Sequence, residues 1–105
     1  MTNKYEIGKH RYYELKHWCL QYPNWERLYL EVDGYCKKTG DTTSKDGILL
    51  ADLYSKMLLV KRVCKITDED IWEELLRTVT GKVSEIPSTS YIYKRFFWLL
   101  DKMKD

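Results

Sequence analysis

Glycine is scarce in this sequence and never occurs in a cluster. The five glycines stand singly, at the ends of predicted helices and in one polar stretch, so there is no glycine-rich loop of the kind that cradles a phosphate or a dinucleotide. The apolar runs are equally short, because Lys or Asp interrupts them. We therefore expect no signal peptide and no membrane-spanning helix, and a protein that acts in the cytoplasm.

Cysteine and histidine are few and widely spaced. Cys19, Cys36 and Cys64 form no CxxC pair, and His10 and His17 have no carboxylate-rich loop beside them. This spacing argues against a zinc site, and the odd cysteine count argues against a disulfide framework. We expect reduced thiols, as in a cytosol, and neither a metal nor another cofactor.

No local pattern supplies a nucleophile together with its base. Both histidines lie in the first predicted helix, and the nearest cysteine is Cys19, two positions from His17. Residues two apart on a helix point in different directions, so this pair cannot cooperate locally. An active site assembled from residues that are far apart in the sequence remains the weaker alternative, because such a site is recognised by its geometry and not by local spacing. We expect a protein that is not an enzyme.

The composition is that of a globular protein. Apolar residues make up 44% of the 105 residues and charged residues 32%, which is typical of one domain spanning 1–105. Trp and Tyr are abundant, with four and nine copies against two Phe. Both favour half-buried or interface positions. The surplus hints at a contact surface, although core filling is the favoured interpretation for any single aromatic residue.

Apolar residues recur with the helical period along most of the chain. This pattern predicts an all-α fold, a compact single-domain bundle of about five helices. The helices are expected at 7–21, 24–32, 48–65, 68–80 and 88–104. The polar, glycine-bearing segment 34–47 is expected to be a mobile connecting loop. The broad apolar stripe of the third helix predicts a central helix packed on two sides.

Each predicted helix has a candidate core face. The residues at helical spacing are Tyr12, Leu15, Cys19 and Tyr22; Trp25, Leu28 and either Tyr29 or Val32; Leu49, Leu53, Met57, Val60 and Cys64, widened by Leu50, Tyr54 and Leu58; Ile71, Leu75, Leu76 and Val79; and Ile92, Phe96, Leu99, Leu100 and Met103. We expect Thr67 to cap the fourth helix, with Asp70 in a capping box and Ile66 and Ile71 in a hydrophobic staple. The acidic residues there are explained by helix capping and not by a metal or catalytic site.

The other side of the last predicted helix carries the most site-like pattern, a tryptophan among basic residues. One interpretation is a contact surface, because it combines stacking area with charge. The alternative interpretation is that Trp98 covers the edge of the core. The net charge of +2 is too small to indicate nucleic acid by itself, and the basic run in the third helix favours a solvated face over a phosphate-binding stripe. The candidate contact residues are Tyr91, Lys94, Arg95, Trp98, Lys102, Lys61, Arg62 and Lys65.

Two segments carry a family resemblance: RYYELKHWCLQYPNWERLYLEVD at 11–33 and IPSTSYIYKRFFWLLDKMK at 86–104. In these motifs the chain resembles small proteins of Firmicutes phages and prophages that are similar to ArpU-like late-gene regulators. The resemblance implies a C-terminal helix-turn-helix related to the sigma-factor type, whose last helix enters the major groove. The residues that it implies on the groove side are Ser88, Ser90, Tyr91, Lys94 and Arg95.

The chain departs from that family between its last two predicted helices. The relatives carry an additional short helix there, whereas only GKVSE separates Thr80 from Ile86. Five residues cannot form both a turn and a bracing helix, so the DNA-reading unit is incomplete unless the 68–80 helix takes that role. The tip of the last helix is also poor in side chains that read bases.

Two functions follow from these observations. One is a helix-turn-helix regulator of phage transcription that binds double-stranded DNA, in line with the resemblance and the basic residues. The other is a protein-contact inhibitor of a host defence nuclease, such as an RNA-guided CRISPR nuclease. The surplus of Trp and Tyr suits the second, because these residues dominate binding hot spots. We favour this anti-CRISPR-like function, with a structural subunit of a phage particle as a third alternative.

Overall fold

The computed structural model describes residues 5–40, 44–81 and 91–104, and every regular element in this part of the chain is an α-helix. The helices are α1 (Lys9–Leu20), α2 (Tyr22–Thr39), α3 (Ser44–Thr67), α4 (Trp72–Val79) and α5 (Tyr91–Met103). The predicted all-α fold is confirmed. Among these helices none is both long enough and apolar enough to cross a membrane.

α1 and α2 are separated by Gln21 alone. Gln21 keeps right-handed helical dihedral angles, with φ −78° and ψ −10°. The interruption follows from Pro23, which has no N–H to donate to the carbonyl of Cys19 one turn earlier. When α1 and α2 are counted as one interrupted helix, the described residues form four helices. The predicted number of about five is therefore one too high.

The predicted loop at 34–47 is wrong over most of its length. α2 continues through this segment to Thr39, and α3 already begins at Ser44. Cys36 is buried, so the second half of α2 has an apolar anchor that the polar composition of the segment conceals. Gly40 ends the helix, because its left-handed backbone (φ 67°) lets its N–H donate to the carbonyl of Cys36.

α3 is the central helix, as its broad apolar stripe predicts. α2, α4 and α5 all pack against it, and α1 lies against α5, α2 and α4. The buried core consists of Leu15, Cys19, Tyr22, Trp25, Leu53, Val60, Val63, Cys64, Leu75, Val79, Phe96, Phe97 and Leu100. Helical spacing predicts all of these except Val63 and Phe97, so the core faces of the helices are largely confirmed.

α5 is buried on two sides because both α3 and α1 contact it. Tyr12 of α1 lies edge-on to Phe97, with ring centroids 5.0 Å apart. Arg11 Nε also donates a hydrogen bond to Asp101 Oδ1 at 2.6 Å, which ties the same two helices together. These contacts leave Phe97 only 2% exposed. Residues 88–90, the start of the predicted last helix, lie outside the described part of the chain.

The start of α4 differs from the predicted capping box. Thr67 is the last residue of α3, and its hydroxyl donates to a carbonyl one turn back in that helix. The acceptor at the turn is instead Asp68, whose Oδ1 accepts the N–H groups of Asp70 and Ile71 at 3.0 and 3.3 Å. The predicted staple, and the predicted burial of Ile71, are wrong, since Ile66 and Ile71 are both exposed.

Truncation of core side chains tests this packing. Phe96→Ala and Leu75→Ala should each lower the free energy of unfolding by about 2–5 kcal/mol, because both side chains are buried and the cavity left behind closes only in part. Ile66→Ala removes an exposed side chain and should change stability by about 0.5 kcal/mol or less. Urea denaturation followed by circular dichroism measures all three. Equal losses at the core and surface positions would contradict the packing.

Candidate functional site

The outer side of α5 gathers aromatic side chains. Tyr91 and Trp98 lie about two turns apart, and the ring of Tyr5, which precedes α1, stands edge-on to both, with centroid distances of 5.2 and 5.3 Å. The Lys102 ammonium lies 5.6 Å from the centre of a Trp98 ring, within cation–π range. We call Tyr5, Tyr91, Trp98 and Lys102 the α5 aromatic face.

This face brings together three of the five predicted contact residues of the last helix. Tyr91 is 60% exposed and Trp98 is half-buried. A hydrogen bond with Tyr5 raises the pKa of Tyr91 above its ordinary value. Beside them, Lys94 is exposed and Arg95 is half-buried. Sequence reasoning missed Tyr5, because it precedes the first helix and no periodic pattern includes it.

The predicted basic residues of α3 line two different surfaces. Lys61 lies on the side of α3 that faces α2, whereas Arg62 and Lys65 line a shallow depression beside α4. In that depression Lys65 Nζ lies 4.6 Å from the centre of a Trp72 ring. All three basic side chains are exposed. This division favours solvated helix faces over a single phosphate-binding stripe. Ser88 and Ser90, which the family resemblance implies on the groove side, lie outside the described residues.

A surface that the sequence did not predict lies between α2 and α3. It is a groove of about 280 Å³ lined by Tyr22, Glu26, Tyr29, Leu30, Tyr54, Met57, Leu58 and Lys61. We call it the α2–α3 groove. Tyr54 and Leu58 are 55% and 38% exposed, and Leu28 of α2 is 39% exposed, so their predicted burial is wrong. The apolar stripe of α3 is broad because some of its residues pack in the core and others line this groove. The breadth of the stripe is the feature of the sequence from which the groove could have been predicted.

The fold keeps the histidine and cysteine side chains apart. His10 and His17 are exposed on α1, whereas Cys19 and Cys64 are buried in the core. Burial, and then the neighbouring Cys64, raise the pKa of the Cys19 thiol; burial raises the pKa of Cys64 to about 12. Both thiols are therefore in the poorly nucleophilic protonated form at physiological pH. The described residues contain no group of three or more His, Cys, Asp or Glu side chains that could hold a metal ion.

Comparison of the chain with protein-family models, with curated proteins and with solved structures found no match. The resemblance to ArpU-like phage proteins therefore stays a prediction from the two sequence segments that carry it.

The buried thiol of Cys64 predicts a loss of stability at alkaline pH. The unfolded thiol ionises near its ordinary pKa of 9.0, whereas the folded thiol ionises near 12, so stability is retained below pH 9 and falls as the pH rises toward 12. At pH 10, one unit above the unfolded value, the loss from Cys64 is on the order of 1 kcal/mol. Urea denaturation at pH 7 and pH 10 measures it.

Cys64→Ala removes the titrating group, so between the two pH values its free energy of unfolding should fall less than that of the native chain, by a difference on the order of 1 kcal/mol. Leu75→Ala is the matched control, because it empties a core position that does not titrate and should keep the native pH dependence. The same alkaline loss in Cys64→Ala and in the native chain would contradict the assignment.

Proposed function

We propose that this chain is a non-enzymatic, phage-type binding protein that inhibits a host defence nuclease, such as an RNA-guided CRISPR nuclease, by protein contact. The observation that carries the proposal is the α5 aromatic face, where an exposed Tyr91 and a half-buried Trp98 are held against Tyr5. The resemblance to phage proteins supports the setting in a bacterial host cell.

The geometry of the α5 aromatic face suits a protein partner. Trp and Tyr dominate the energetics of protein interfaces, because they bury a large area and keep one polar group for a hydrogen bond. Edge-on contacts with Tyr5 already restrict both rings, so less side-chain freedom is lost on binding. Lys94 is exposed beside them and supplies the polar rim that a transient interface needs.

The packing of the last two described helices favours protein contact over DNA reading. A helix-turn-helix needs its bracing helix set closely against the recognition helix. α4 and α5 instead pack chiefly on α3 and α1. Arg95, implied on the groove side by the resemblance, is half-buried, which limits its reach to a base.

A DNA-binding regulator of phage transcription is the second candidate. The observation that favours it is the exposure of Lys94 at the start of α5, together with that of Lys61, Arg62 and Lys65 on α3. These side chains would contact the phosphates of a duplex, and binding would then weaken steeply with salt.

A comparison of Tyr91→Ala with Lys94→Ala separates the two candidates. Both side chains are exposed and near the start of α5, so both variants should stay folded, which circular dichroism checks. If the protein acts by contact at the α5 aromatic face, Tyr91→Ala should raise the concentration for half-inhibition of a purified RNA-guided nuclease about 30-fold, equivalent to about 2 kcal/mol. Lys94→Ala should change it by less than about fivefold.

The opposite pattern would contradict the proposal. In that case the protein would not inhibit the nuclease. It would instead bind double-stranded DNA, and Lys94→Ala but not Tyr91→Ala would weaken that binding. Such binding should also fall steeply between about 50 and 200 mM salt, because neutralised phosphates release their counterions. Cleavage assays and fluorescence-anisotropy titrations with a labelled duplex measure the two activities side by side.

A further inference from the structure

The outer side of α5 alternates aromatic and cationic side chains at steps of one helical turn. Tyr91, Arg95, Trp98 and Lys102 are spaced by four, three and four residues, and this spacing sets side chains in a row along one side of an α-helix. The charge of Arg95 acts on the hydroxyl of Tyr91, and Lys102 Nζ lies 5.6 Å from the centre of a Trp98 ring. Each ring that α5 contributes to the α5 aromatic face therefore has a cation beside it.

The positive charge of the chain is concentrated in the two segments that build this face. Residues 5–14 and 91–104 together hold six basic and three acidic residues, an excess of three positive charges. The chain as a whole has a net charge of +2, so the rest of it carries an excess of one negative charge. On net charge, an anionic partner is therefore attracted to this side of the molecule more than to the rest of it.

The cations on the outer side of α5 lack acidic partners within the described part of the chain. Asp101 is the acidic residue of α5, and its Oδ1 is already held by Arg11 Nε of α1 at 2.6 Å. Lys94, Arg95 and Lys102 have no ion-pair partner among the described residues. A partner that brings carboxylates to this side therefore meets positive charges that are not yet neutralised.

The ring contacts within the face argue against single-stranded nucleic acid as its partner. A base needs a free aromatic plane on which to stack. The ring of Tyr5 stands edge-on to both Tyr91 and Trp98, at centroid distances of 5.2 and 5.3 Å, and so occupies the space through which a base would approach both rings. The Lys102 ammonium lies over a Trp98 ring as well. These contacts leave charge and an apolar edge for recognition, and little open stacking area.

An acidic protein segment fits both of these features. Carboxylates accept hydrogen bonds from Arg and Lys without the need for a free ring plane. Arg95 and Lys102 are seven residues apart in α5, which is about 10.5 Å along the helix. Tyr91 is 60% exposed and offers its ring to an apolar side chain of the same segment.

We propose that the α5 aromatic face recognises an acidic segment of its protein partner, in which two carboxylates about 10 Å apart pair with Arg95 and Lys102 and an apolar side chain packs on Tyr91. The partner is the nuclease of the proposed function, on which this inference rests. The rings then supply the buried area of the contact, and the cations select a partner surface of opposite charge.

Charge reversal at Lys102 tests the pairing in the nuclease assay. Lys102→Glu sets a carboxylate against the partner's carboxylates and should raise the concentration for half-inhibition about 10-fold or more. Lys102→Arg keeps the charge and should stay within about threefold of the native chain. Lys65→Glu is the matched control, because Lys65 is likewise an exposed lysine over a Trp ring in the last turn of a helix. It lies on a different surface and should also stay within about threefold. Circular dichroism checks that each variant is folded.

A peptide titration without the nuclease tests the chemistry of the face by itself. The probe is a fluorescently labelled peptide of Glu, Leu and Ala, and its counterpart has Gln in place of every Glu. Fluorescence anisotropy should show saturable binding of the Glu peptide to the native chain, at least about 10-fold tighter than binding of the Gln peptide. Lys102→Glu should weaken binding of the Glu peptide by about 10-fold, whereas Lys65→Glu should leave it unchanged.

The proposal is overturned by equal binding of the Glu and Gln peptides, by tighter binding of labelled oligothymidylate than of the Glu peptide, or by equal effects of Lys102→Glu and Lys65→Glu. A failure of the proposed function looks different, because the native chain would then bind the Glu peptide as expected but leave the nuclease active. Inhibition that Tyr91→Ala weakens and Lys102→Glu does not would retain the function and contradict the acidic partner.

Discussion

Burial of the C-terminal half of α3 is the interaction on which the rest of this fold depends. Val60, Val63 and Cys64 are fully buried there, and α2, α4 and α5 all pack against this helix. Because one helix supplies contacts to three others, the loss of its apolar face would release every neighbour at once. The surfaces available for binding are what remains exposed after α3 is covered: the outer side of α5, and the side of α2 and α3 that carries the groove.

The position of the α5 aromatic face follows from the burial behind it. Phe96, Phe97 and Leu100 are buried, and α5 is held between α3 and α1. The ion pair between Arg11 and Asp101 fixes α1 against the second half of α5. A binding surface on such a helix is pre-organised, because the backbone beneath it has little freedom left to lose when a partner binds.

The helical period of the sequence was sufficient to predict most of the core, but not what covers each helix. Leu15, Cys64 and Leu75 each lie on the apolar stripe of their helix. Burial of such a stripe follows from its helical period alone, so these residues could be predicted. Phe97 lies beside such a stripe and is buried only because α1 contacts that side of α5, which is a tertiary effect. Tyr54 shows the converse error, since it extends the α3 stripe but stays 55% exposed, with the ring of Tyr29 beside it.

Polar composition and short motifs misled the prediction in two places. The segment 34–47 has the composition of a loop, yet most of it is helical because Cys36 is buried and Gly40 supplies the left-handed stop. Thr67 has the identity of a helix cap, yet α3 extends through it, and Asp68 accepts N–H groups in the turn that precedes α4. The α5 aromatic face was predicted in part, because Tyr91, Trp98 and Lys102 share a helical side.

Amide hydrogen exchange, with and without a purified RNA-guided nuclease, tests contact through the α5 aromatic face most directly. In the free protein we expect the slowest exchange around Val60–Cys64 and Phe96–Leu100, where the core is fully buried. Addition of the nuclease should then slow exchange near Tyr5 and in the first two turns of α5, from Tyr91 to Trp98. No change with the nuclease, together with slowed exchange around Arg62 and Lys94 on addition of duplex DNA, would contradict contact through this face.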